Sequence, residues 1–156
     1  MYFDVKQGMT VKKQGMAYLA RERKDHSERL RGMREFVLPL LMDLSTCPNW
    51  GDVKGVSCYG YSVSLFLKRD RKDSPLPREI AQLTHSQGKK SAGEESLEVS
   101  FVIPRVNAKG KGVDMYVTVN GYLPATCRIE RIEEYIPGHV GYVNKVVCTG
   151  GTLEEE

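Results

Sequence analysis

Between Ala17 and Leu44 the apolar residues Leu19, Leu30, Met33, Val37, Leu40, Leu41 and Leu44, together with His26, recur at spacings of three, four and seven. That spacing lines one side of a 3.6-residue helix. An apolar stripe must be buried, and the alternating runs downstream offer a sheet face for it. The expected fold is α+β: one long helix, kinked near Pro39, packed on a mainly antiparallel sheet of four or five strands. Pro39 predicts the kink, or two abutting helices meeting near Leu38, because it lacks a backbone donor and its ring crowds the Glu35 carbonyl.

Several strands can be read from period-two alternation. Tyr2 to Val5 alternates weakly and fits a short edge strand. Tyr61, Val63, Leu65 and Leu67 share one parity, and Leu97, Val99, Phe101 and Ile103 share another. Val113, Met115, Val117 and Val119 follow after the glycine-containing turn Asn107 to Gly112, which makes a hairpin. Pro75 to Ser86 predicts a short helix with Pro77 in its first turn. Ile129, Ile132, Tyr135 and Ile136 also fit helical spacing, but a strand is the better reading. Folding at Pro137-Gly138 sets Cys127 opposite Cys148, Ile129 opposite Val146 and Glu130 opposite Lys145, so apolar and opposite-charge pairs coincide.

The 156 residues suit a single domain, 1–156, with 87–95 as a mobile loop and 152–156 as a frayed tail. No apolar run has the length of a signal peptide or a membrane span, so the expected location is cytoplasmic and no membrane partner is expected. Cys47, Cys58, Cys127 and Cys148 form no Cys-x-x-Cys pair; reduced, mostly buried thiols are expected, with no metal.

Catalytic signatures are weak. Gly88-Lys89-Lys90-Ser91 imitates the end of a phosphate loop, but the required first glycine would fall at Leu83 and no strand precedes it. Glu133 and Glu134 are adjacent, and on a strand they point to opposite faces, where they cannot flank one bond. A cysteine and a histidine brought together by folding would make a thiol or hydrolytic enzyme the third-ranked reading. No cofactor is expected.

Charge is more informative. Residues 1–78 hold 15 Lys and Arg against 9 Asp and Glu, and residues 79–156 hold 8 against 11. A basic face built from Arg21, Arg29, Arg31, Arg69, Arg71 and Lys72 would attract an acidic protein or a nucleoprotein complex. The leading expectation is thus a non-catalytic intracellular binding protein, an adaptor or inhibitor such as the accessory proteins phages carry. The alternative is single-stranded nucleic-acid binding, with Lys109 and Lys111 beside Tyr116 and Tyr122 on the outer parity of one strand as a base-stacking surface.

Overall fold

A computed structural model describes residues 2–5, 10–21 and 27–149. The elements are β1 (Tyr2–Asp4), α1 (Val11–Arg21), α2 (Ser27–Gly32), a π-helical turn (Met33–Val37), α3 (Leu38–Leu44), a 3-10 turn (Trp50–Asp52), β2 (Val53–Tyr59), β3 (Ser62–Leu67), α4 (Leu76–Thr84), β4 (Lys89–Ala92), β5 (Leu97–Val106), β6 (Gly112–Tyr122), β7 (Cys127–Ile136) and β8 (His139–Cys148).

The single long helix is not formed. Thr10 starts α1 by accepting the Lys13 backbone N–H at 3.2 Å on its hydroxyl. A Cβ on Gly15 of α1 would run into the Leu38 side chain of α3. Along one straight helix those positions would lie ~35 Å apart, so α1 packs back on α3 instead of continuing into it. At Pro39 two helical segments abut, with their junction at Leu38, in place of a kink within one helix. The Leu38 N–H donates to the Met33 carbonyl, five residues back, and α3 begins with the proline in its first turn, where a missing donor costs nothing. The apolar stripe still does its work: Leu19, Met33, Val37, Leu40, Leu41 and Leu44 are all buried. His26 lies outside the described residues.

The sheet also differs from expectation. Among the described residues six strands run in the order β1-β2-β3-β6-β5-β4, and the central β3–β6 pair is parallel, with Ser62 beside Tyr116 and Phe66 beside Asn120. The sheet is therefore mixed rather than mainly antiparallel. A parallel pair requires a crossover, and α4, β4 and β5 form it. Ser74 sets the start of α4, donating to Asp52 at 2.7 Å and accepting the Leu76 N–H at 3.2 Å. The helix ends at His85 in the left-handed conformation.

One core joins the helices to one face of the sheet, through Val56 and Cys58, Val63 and Leu65, Val99 and Phe101, and Met115, Val117 and Val119. β4 lies within the stretch read as a loop, pairing its four residues with β5 as an edge strand. The residues expected to form the frayed tail lie outside the described residues. No helix among the described residues is long and apolar enough to cross a membrane.

β7 and β8 make a separate two-stranded ribbon in the register read from the sequence, Cys127 opposite Cys148 through Ile136 opposite His139. Gly138, at φ 94°, supplies the left-handed turn position beside Pro137. The expectation of reduced thiols fails here, because Cys127 and Cys148 form a disulfide. Thr149 donates its N–H to the Thr126 carbonyl next to them, which leaves the cysteines in the closer, non-hydrogen-bonded position of the ladder.

Candidate functional site

The six cations read as one basic face fall into separate groups. Gly32, at the end of α2, faces Tyr61 at the start of β3, where the Phe36 and Tyr61 rings meet edge to face at 5.7 Å. Arg29 and Arg31 are exposed on that helix. Arg69, Arg71 and Lys72 follow Leu67 at the opposite end of β3, and six strand residues span roughly 20 Å. Arg71 is partly engaged, 3.7 Å from Asp52. Arg21 ends α1, and its side chain lies outside the described ones.

The base-stacking set also divides. Lys109 and Lys111 sit in the β5–β6 turn, held by their backbone N–H groups donating to Asn107 Oδ1 at 3.0 and 2.9 Å. Tyr116 projects from the face without helices, 51% exposed. Tyr122 does not share that face. The ladder shifts register between Leu97 and Glu98, opposite Gly121, whose φ is 84°. This bulge resets the alternation, so Tyr122 packs against the core on the helix side.

The uncovered face carries two rows. Ser57, Ser64, Thr118 and Ser100 align across four strands, and beside them lie Tyr59, Ser62, Tyr116 and Val102.

The ribbon exposes apolar side chains on both of its faces. Ten residues at the strand rise make each strand about 30 Å long. One face presents Tyr135, 85% exposed, with Val140 opposite it and Tyr142 next along. The Arg131 guanidinium lies 4.0 Å from the Tyr142 ring centroid, a cation–π contact that holds this ring in place. The other face exposes the cross-strand pair Ile132 and Val143. Over both faces the ribbon's charges balance: Arg128, Arg131 and Lys145 against Glu130, Glu133 and Glu134.

The thiols not in the disulfide are poor nucleophiles. Burial, helped by the Glu79 charge, pushes Cys47 up to about 11, and burial pushes Cys58 up to about 12. His85 and His139 are exposed, and no three His, Cys, Asp or Glu side chains among the described residues gather into a metal-holding group.

A concavity of about 250 Å³ opens between α4 and the β4–β5 edge, with Arg78, Gln82 and Lys90 among its lining residues. Sequence reading missed it because Lys89–Ala92 has no apolar alternation to announce a strand. Comparison with protein-family models, with curated proteins and with solved structures found no match for this chain.

Proposed function

We propose that this chain is a non-catalytic binding protein whose β7–β8 ribbon docks on a protein partner with an apolar, nearly uncharged surface. The observation that carries this is the exposure of Tyr135, Val140 and Tyr142 on one ribbon face and of Ile132 and Val143 on the other. A two-stranded ribbon cannot bury either face by itself, and solvent-exposed aromatics on a preformed strand make inexpensive anchors for a protein interface. Equal numbers of basic and acidic side chains on the ribbon favour a protein over a phosphate backbone. The elevated Cys47 and Cys58 thiols argue against a thiol enzyme.

A photo-crosslinking amino acid placed singly at Tyr135, Arg29, Lys72 and Tyr116, in cells that contain the partner, tests this reading. Adducts to one protein from position 135, lost when Val140 and Tyr142 are both changed to Ser, are expected. Protein adducts only from 29 or 72 would return the site to the basic groups. Nucleic-acid adducts from 116 would favour the single-strand reading.

A further inference from the structure

We propose that the concavity between α4 and the β4–β5 edge is a binding site for a small aromatic carboxylate. It lies on the helix-covered face of the body, and none of the residues that line it belongs to the ribbon. Its floor is apolar, made by Phe101 of β5 and Tyr122 of β6, the latter turned to this side by the Gly121 bulge. The chain passes unusually close over that floor at Gly88. A Cβ there would come within 2.8 Å of Val99 and 2.9 Å of Phe101, so only glycine keeps the wall in place without pushing the floor aside.

Two cations face this floor from different elements, Arg78 on α4 and Lys90 on β4. Lys90 pairs with Val99 and so stands on the parity that points to the core. An inward lysine also guards an edge strand against unwanted pairing, but that role makes no use of an arginine on the opposite wall. Neither Arg78 nor Lys90 forms an ion pair with a described residue, and the neighbouring carboxylate, Glu79, is occupied with Asn49. An anion between them would be attracted by both charges. The guanidinium fork suits a carboxylate, and the lysine adds a point charge. A volume of about 250 Å³ lies just below the usual range for ligand pockets, which selects a body of one or two rings.

Calorimetric titration of the full chain with 2-naphthoate provides the test, with octanoate and the uncharged 2-naphthalenemethanol as comparison ligands. Saturable one-to-one binding of 2-naphthoate is expected, at least tenfold tighter than either comparison ligand. Arg78→Glu with Lys90→Glu should weaken it at least tenfold. Ala81→Leu, which fills the groove from α4, should abolish it without touching either charge, and the remote pair Arg69→Glu with Lys72→Glu should leave it unchanged. Circular dichroism checks that each variant is folded. No saturable binding, or equal affinity in the Arg78/Lys90 variant, would overturn the proposal. Octanoate binding as tightly as 2-naphthoate would overturn the aromatic assignment.

Discussion

Cys47 and Cys58 link the packing of single side chains to the behaviour of the chain as pH rises. An unfolded cysteine ionises near its ordinary value of 9.0, whereas burial keeps these two protonated to about 11 and about 12. Between those limits the unfolded chain loses protons that the folded chain retains. Folding stability should therefore be constant with respect to these groups below pH 9 and fall as pH rises above it. Urea denaturation at pH 8 and pH 10 measures the difference, and replacing both cysteines by Ala should flatten it. Backbone conformation matters equally at Gly121. Its φ of 84° is strained for any L side chain, so Gly121→Ala should cost about 1–2 kcal/mol. An unchanged denaturation midpoint would show that the bulge relaxes. The same residue explains why Tyr122 was misread: alternation assigns it to the outer parity only if the count runs unbroken from Tyr116, and a single bulge reverses the face.

Among the elements, the ribbon owes most to its covalent tie. Closing a loop of 21 positions with the Cys127–Cys148 bond restricts the unfolded ensemble by about 3 kcal/mol, a large contribution to a two-stranded unit. Reduction should therefore raise amide exchange across β7 and β8 while β3, β5 and β6 keep their protection, as hydrogen-exchange mass spectrometry can follow. Equal loss in both sheets would mean that ribbon and body unfold together. The register of this ribbon was legible because apolar, cysteine and charged pairs all agree on one alignment. The β5–β6 hairpin and α4 were legible for similar reasons, clean alternation around a glycine turn and a proline at a helix start. β2 was not, since its ladder shifts register between Val53 and Gly55 and breaks the alternation. The helical stripe picked out six side chains that are buried, with Leu30 half-buried, but not their division among helices, because spacing along the chain does not show where one helix stops and the next begins. The groove beside α4 had no local signature at all; Arg78 and Lys90 become neighbours only through tertiary packing.

For the whole molecule, the decisive feature is the one that no local pattern announces, the parallel pairing of β3 with β6. It joins two locally paired portions, β1-β2-β3 on one side and β4-β5-β6 on the other. The turn between β4 and β5, where Gly93 donates its N–H to the Ser96 carbonyl and Glu94 and Glu95 are exposed, should be the first site cut by a glutamate-specific protease. The two pieces should then elute together from a sizing column, since β4–β5 pairing and the β3–β6 seam both remain. Immediate separation of the pieces at micromolar concentration would contradict this. Once nicked, however, the molecule no longer folds as one body. What was closure of a single chain becomes a second-order encounter, so the melting temperature of the cut protein should rise with its concentration while that of the intact protein stays fixed. A peptide bond between β4 and β5 is thus all that separates one continuous chain from an obligate pairing of its own two halves.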